Sequence, residues 1–461
     1  MGDFQLPIGL SGGSGMELRG KDILVLGGGL SGLAACRFLL SHGARVTLSD
    51  NKQRRDLPKE AQALFRRGVS FLHQRYLPTS LPWQLCVKSP GVPPDIPLLQ
   101  LLKLAQIPVW GELELAFRYA KAPIVAVTGT NGKTTTTALL GYILRQAGLK
   151  ALVAGNIGEP LIAHVDEPYD YIVAETSSFQ LEDTELFHAT GALFLNLSPD
   201  HLDRHGDMEH YRAAKARILQ HQQVTDFAVF NQDDAAVAAL AKDTVARRLF
   251  FSLQQQVAEG VFLRQGQLCI REKGHNTPVV LGERIYIKGR HNWQNAMAAV
   301  AAAYALGVKP TLMAEALTTF PGVEHRLEFV CEIDGVTYIN DSKGTNPDST
   351  EKALLAYDQP LVLIAGGYDK KADFLPLMKL IKERVRHLVV LGQTTEALLS
   401  AARTVGYNCV SHAENLDEAV AMAREQAQSG DIVLLSPACA SWDMFDNFEA
   451  RGNRFKELVK A

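Results

Sequence analysis

The chain has 461 residues, 47% of them apolar and 21% charged, with a formal net charge of −3. A length of this size predicts about three domains, and the charge excludes a broad basic surface for nucleic acid or anionic membrane. The longest apolar stretch, Ala296 to Leu306, falls short of the ~20 residues a bilayer span needs, so no membrane span is predicted.

Six scattered cysteines, Cys36, Cys86, Cys269, Cys331, Cys409 and Cys439, show neither C-x-x-C nor zinc spacing and read as reduced thiols of a cytoplasmic protein. Met1 to Gly15 is Gly-rich and lacks the basic start and apolar core of a signal peptide. Residues 1–18 are expected to form a flexible tail, with Met16 a candidate natural start.

A first segment, 19–111, opens with the apolar run Asp22 to Leu26, followed by Gly27-x-Gly29-x-x-Gly32, a helix from Leu33 to His42, and a strand from Arg45 to Ser49 ending at Asp50. This spacing fits the dinucleotide-binding fingerprint. The same turn holds any diphosphate at a helix N-terminus, so NAD(P), another nucleotide and a purely structural turn all remain open.

A second segment, 112–322, carries the buried-strand run Ile124 to Thr128 and then Gly129-Thr130-Asn131-Gly132-Lys133-Thr134-Thr135. Glycines let backbone N–H groups converge on an anion, the following helix adds its positive end, and Lys133 can reach terminal phosphates. Thr134 is placed to put its hydroxyl on Mg2+. The position five before Gly132 is Val127, so this is a shortened version of the usual phosphate loop. Strands are predicted at Tyr171–Ala174, Ala192–Asn196 and Phe227–Phe230. Glu175 follows the first of these at the edge shared with the phosphate loop in a parallel sheet, where it can reach the same ion. His201 follows the second, in the company of Asp200, Asp203 and His205. Lys215, on a helix beginning near Tyr211, would from composition alone be a solvated surface lysine. Asn292 and Asn295 start a helix, where their amides either cap it or bond a base.

The third segment, 323–461, opens with a hairpin-like stretch, Leu327 to Ile339, and continues through buried strands at Leu361–Ala365, His387–Leu391 and Ile432–Leu435. Polar groups cluster at strand or hairpin ends: His325-Arg326, Asp341-Ser342-Lys343-Gly344-Thr345, Gly366-Gly367 to Lys370-Lys371, and Ser436 through Ser441 to Phe448. Each could be a turn or a cap, yet the C-terminal edge of an open α/β sheet is where ligands bind.

Together, Gly129 to Thr135, Glu175-Thr-Ser-Ser-Phe-Gln180, Asp200-His-Leu-Asp203, His291-Asn292, His325-Arg326, Asn340-Asp-Ser-Lys343 and Ser436-Pro-Ala-Cys-Ala-Ser441 resemble the Mur ligases of peptidoglycan synthesis, in the family's motif order and from about Arg19 onward. The stretch Ser436 to Arg451 resembles the D-glutamate-adding branch. The Asp-Asn-Pro-Arg motif of the diaminopimelate-adding branch is absent, since Asp341 to Asn346 stands there. The resemblance implies an α/β fold of three domains: a Rossmann-like UDP-binding domain, a central P-loop ATPase domain with a mostly parallel sheet, and a Rossmann-like C-terminal amino-acid-binding domain.

It further implies a monomeric cytoplasmic enzyme that takes ATP, UDP-N-acetylmuramoyl-L-alanine and D-glutamate and forms an amide through an acyl phosphate. By the same resemblance, Gly29, Leu30, Ser31, Asp50, Asn51, Asn156, Ser177 and Gln180 serve the UDP substrate. Gly129 to Thr135, Asn292, Asn295, Asp341 and Lys343 serve ATP. Thr345, Lys370 or Lys371, Ser441 and Phe448 serve D-glutamate, with Arg326 on the phosphate side. Two Mg2+ ions would be held by Thr134, Glu175, His201 and a Lys215 carbamylated by CO2, and Lys133, Glu175, His201, Lys215 and Arg326 would carry the chemistry. A folylpolyglutamate-synthase-like ligase would leave the Gly27–Gly32 turn without a job, and an NAD-dependent dehydrogenase would leave Lys133, Glu175 and His201 unexplained.

Overall fold

The structure is a computed structural model that describes residues 15–156, 158–369 and 371–461, without the side chain of Asp203. Most of the expected tail and the glutamate-site candidate Lys370 therefore lie outside the described residues. The chain forms two compact units: residues up to Arg284 with Gln294–Thr318, and Ile285–Trp293 with Thr319–Ala461.

The first unit contains two sheets. One has five parallel strands in the order Ser70–His73, Arg45–Asp50, Asp22–Leu26, Leu85–Lys88, Val109–Gly111. Its central strand is apolar without alternation because both faces are covered; Ile23 through Leu26 are fully buried. The following helix spans Leu30–Ser41, three residues earlier than expected. Gly29 enters it extended, and Gly32 lets its first turn sit on the strand end, since a Cβ there would fall 1.8 Å from the Gly27 carbonyl oxygen.

The other sheet has nine strands in the order His275–Leu281, Gln267–Glu272, Gly260–Arg264, Arg247–Ser252, Phe227–Asn231, Gly191–Phe194, Ile124–Thr128, Tyr171–Glu175, Ala151–Gly155. Its last seven strands in that order are parallel, and the first two extend it as an antiparallel meander. In register, Val127 stands opposite Glu175, so the phosphate-loop strand and the carboxylate strand end side by side.

One continuous core joins the two sheets, with Leu33 and Phe38 of the first fold clustered with Phe117, Ile162 and Phe187. Polar ties reinforce it. The Glu114 carboxylate, fully buried, accepts from the backbone N–H groups of Glu185 (2.8 Å) and Phe187 (3.0 Å) and from Arg118 Nε (2.7 Å). Buried Lys88 pairs with Asp183.

The second unit holds a six-stranded sheet in the order Glu328–Ile333, Val336–Asn340, Ile432–Leu435, Leu361–Gly366, Val385–Leu391, Val410–His412. Only the first pair is antiparallel. Helices cover both faces and make two separate cores. Among the described residues, no helix is long and apolar enough to cross a membrane.

Candidate active site

The phosphate loop follows Ile124–Thr128 and leads into the helix Lys133–Gln146. Gly129 and Gly132 have φ of 151° and 86°, a region that L side chains rarely enter. Thr130 N–H donates to the Asn196 carbonyl (3.1 Å) and Asn131 N–H to the Asn196 side-chain oxygen (2.8 Å). The Thr130 hydroxyl donates to the Ser198 carbonyl (3.1 Å), so the strand end at 194–198 moulds the loop. Asn295 lies against Gly132, where a Cβ would come within 2.2 Å of its Oδ1. Thr134 and Thr135 are buried on the first helical turn.

Two lysines converge on the same carbonyl. Lys133 Nζ donates to the Gly129 and Thr130 oxygens at 2.9 Å each, and Lys215 Nζ donates to the Gly129 oxygen at 2.9 Å. Lys215 is 1% exposed, its ammonium 4.7 Å from the Tyr211 ring centroid. Burial, and then the Lys133 charge, hold its pKa well below the ordinary lysine value, while Asp200 and Glu175 oppose that shift. The surface reading that composition favoured for Lys215 is thus replaced by a buried amine at the phosphate loop. Amphipathic spacing could not reveal it, because the covering groups come from strands far away in sequence.

Glu175 is buried at the adjoining strand end. Asn156 Nδ2 donates to its Oε1 (3.0 Å), while Oε2 is buried with no hydrogen-bond partner. A carboxylate oxygen left in that condition costs free energy unless a cation or donor meets it. A carboxylate oxygen is the type of donor that Mg2+ prefers. Ser177 caps the helix Ser178–Glu182 in a reciprocal capping box with Gln180. His201 has φ of 53°; its side chain is half exposed, 3.6 Å from Asp200. Asp200, Asn196 and Tyr211 also belong to this constellation; in the sequence Asn196 is legible only as a polar residue at a strand end.

At the first sheet, Gly28 N–H donates to Asp50 Oδ2 (2.6 Å) and Lys52 N–H to Asp50 Oδ1 (2.8 Å). Asp50 therefore braces the glycine turn as well as ending its strand. Leu30 is 68% exposed on that turn, Asn51 is exposed and Ser31 half-buried.

In the second unit, Asp341 is buried and accepts from Ser436 Oγ (2.7 Å); burial pushes its carboxyl up to about 6, with Ser436 and then Arg326 opposing. Gly344 is needed beside it, since a Cβ would lie 2.5 Å from Asp341 Oδ2. Arg451, almost fully buried, donates to the Ser342 hydroxyl (3.0 Å) and to the Ser342 and Cys439 carbonyls (2.8 and 3.1 Å), fixing the Asp341–Lys343 loop against the Cys439 loop. Lys343 Nζ lies 4.9 Å from the Phe448 ring centroid, Ser441 is buried, and Thr345 is half-buried. Asn292 and Arg326 line one cavity of about 500 Å3 with Tyr286, Lys288 and Tyr357, and Arg326 Nε is buried without a hydrogen-bond partner.

A shortened phosphate loop flanked by a buried carboxylate and a buried lysine, on a parallel sheet, defines a P-loop nucleotide-binding protein. Family models match in three successive stretches: "Mur ligase MurD-like, N-terminal domain" at residues 21–111, "Mur ligase middle domain" at 127–303 and "Mur ligase, glutamate ligase domain" at 325–439. The chain belongs to the Mur ligase family. It is 49% identical to the UDP-N-acetylmuramoylalanine--D-glutamate ligase of Pelotomaculum thermopropionicum over 95% of this chain and 97% of that one. It is 45% identical to the enzyme of the same name from Alkaliphilus metalliredigens, over 97% and 99%. Among solved structures, its fold resembles UDP-N-acetylmuramate-alanine ligase MurC from Thermotoga maritima (TM-score 0.61, 20% identity, 95% of this chain and 99% of that one). It also resembles MurF from Acinetobacter baumannii (TM-score 0.62, 19% identity, 90% and 91%).

Proposed function

We infer that this chain is the ATP-dependent, ADP-forming ligase that joins D-glutamate to UDP-N-acetylmuramoyl-L-alanine in the cytoplasm, acting as a monomer. In this reading residues 19–111 take the UDP sugar, 112–322 take ATP, and 323–461 bring D-glutamate. The observation that carries it is the buried Lys215 amine, whose Nζ lies 2.9 Å from the phosphate-loop carbonyl of Gly129.

Transfer of the γ-phosphoryl group to the alanyl carboxylate brings like charges together, so positioning and cationic screening must do most of the work. Lys133 is anchored at the loop to follow the terminal phosphates. A lysine reacts with CO2 as the neutral amine, and burial beside Lys133 favours that form of Lys215. Carbamylation would then turn it into an anionic oxygen donor. Bound Mg2+ would supply charge screening, one ion held by Thr134 and Glu175 and a second by Glu175, His201 and the carbamate. Ser177, Gln180 and Asn156 would orient the sugar-peptide, while Gly29, Leu30, Ser31, Asp50 and Asn51 would hold its UDP end. Asn292, Asn295, Asp341 and Lys343 would serve the rest of the nucleotide. Ser441, Thr345, Phe448 and a lysine at 370 or 371 would complete the glutamate site. The amine of D-glutamate would attack the acyl phosphate, and phosphate would leave.

The test is phosphate release that requires UDP-N-acetylmuramoyl-L-alanine and D-glutamate together. Release with other amino acids and none with D-glutamate would sink this reading. Lys215→Ala should reduce turnover by about two orders of magnitude or more, the scale of loss when a positioned electrostatic group is removed, and added short-chain carboxylic acids should partly restore it. Full activity in the variant would remove Lys215 from the site.

A further inference from the structure

The segment that carries His201 is fastened around a single aromatic ring. Phe179, in the first turn of the helix Ser178–Glu182, meets the His201 ring edge-on at 5.0 Å between centroids and stacks on the His205 ring at 5.4 Å and 18°. The Arg204 guanidinium carbon lies 4.3 Å from the same ring centroid. Three side chains of one five-residue segment thus close on one phenyl ring.

The far end of that segment makes further contacts. His205 is 7% exposed, with Nε2 3.0 Å from Ser178 Oγ, Nδ1 3.1 Å from Glu182 Oε1, and its ring 5.1 Å from that of Tyr211. Arg204 Nη1 donates to the Pro90 carbonyl (3.1 Å), and its Nη2 lies 3.5 Å from Glu182 Oε2. Glu182 therefore stands between the two. The backbone closes the loop: Arg204 and His205 N–H groups both donate to the His201 carbonyl at 3.1 Å. His201 itself sits at φ 53°, where a non-glycine residue needs support from its surroundings.

We propose that Phe179 and His205 are positioning residues that set the direction of the His201 imidazole, without themselves touching a ligand. This rests on the reading of His201 as a metal donor. Their removal should loosen the second divalent-cation site, while nucleotide binding through the Gly129–Thr135 loop continues.

The experiment titrates the full chain with Mn2+ in the presence of a non-hydrolysable ATP analogue, following free Mn2+ by electron paramagnetic resonance, with analogue affinity measured in parallel. Phe179→Ala and His205→Ala should each weaken the second Mn2+ site about tenfold, the size of effect expected from losing a residue that orients a metal ligand. Analogue affinity should stay within about threefold. Phe179→Tyr keeps the ring and should bind Mn2+ like the parent chain, which separates positioning from loss of folding. His201→Ala is the reference. If it loses the second site while Phe179→Ala and His205→Ala retain it, the positioning role is refuted. If His201→Ala also retains it, the metal reading of His201 falls, and the positioning role with it.

Discussion

Glu112 offers a quantitative test because it is a fully buried acid with incomplete bonding. It opens the helix Glu112–Tyr119; its Oε1 accepts from the Ile162 N–H at 2.8 Å, and its Oε2 is buried with no hydrogen-bond partner. Burial pushes its pKa from 4.5 to about 7, opposed first by the Ile162 N–H and then by Gln180 and Leu161. A carboxyl whose folded pKa is raised binds its proton more tightly when folded. Its contribution is fully present below the unfolded value near 4.5 and is lost as pH rises through about 7. The shift corresponds to at most about 3.5 kcal/mol at ~1.4 kcal/mol per pKa unit. Glu112→Gln abolishes the titration while keeping an oxygen for Ile162. Any constant cost of the amide cancels when the two chains are compared across pH.

Relative to the parent chain, the Gln variant should therefore gain stability between pH 4.5 and pH 8. The gain should approach about 3 kcal/mol, or about 5 °C in Tm for a unit of this size. Thermal unfolding followed by circular dichroism at four or five pH values reads the difference. A stability difference that stays flat across this range, or that moves against the variant as pH rises, would show that Glu112 is ionised in the fold and that its hydrogen bonds outweigh its burial.

Gly132→Ala places a Cβ 2.2 Å from Asn295 Oδ1 at φ +86°; ATP-dependent phosphate release should fall by about two orders of magnitude, as for an ångström-scale displacement of bound phosphates, while binding of the UDP substrate is unchanged. Unaltered kinetics would show that the loop tolerates the shift. Asp183→Asn leaves the Lys88 ammonium, 3% exposed in its side chain, without its partner and should destabilise the first unit by about 3–5 kcal/mol. A loss below about 1 kcal/mol in urea unfolding would refute the Lys88–Asp183 pair as a tie that holds this unit together.

Much of the fold was legible because its central strands are buried on both faces and so read as unbroken apolar runs; Asp22–Leu26, Ile124–Thr128 and Leu361–Gly366 all stand where such runs were read. The antiparallel meander Gly260–Leu281 is not legible as strands in the sequence. Its turns carry clear signals, Gln265-Gly266 and Lys273-Gly274, all four residues at positive φ. Its strand Gln267–Glu272 is buried mainly in the middle, however, and the adjoining His275–Leu281 is mostly exposed, so neither shows a sustained apolar face. The expected start of the helix after Gly29 fell late for a related reason: Ser31 and Gly32 look like turn residues until Gly27 is seen packed against them.

By itself the sequence determined the glycine turn between the strand Ile124–Thr128 and the helix Lys133–Gln146. Gly129, Gly132, Lys133 and Thr134 lie within six consecutive residues, so their spacing alone marks a glycine turn opening a helix, and the flanking apolar runs specify the parallel sheet that holds it. Only the tertiary structure decided that Lys215 is a buried amine rather than a surface cation, that Glu175 leaves an oxygen uncompensated, and that Phe179 gathers His201, Arg204 and His205. Those properties depend on desolvation and on contacts between segments distant in the chain, and burial is a property of what packs around a residue, which its own neighbours in sequence do not encode.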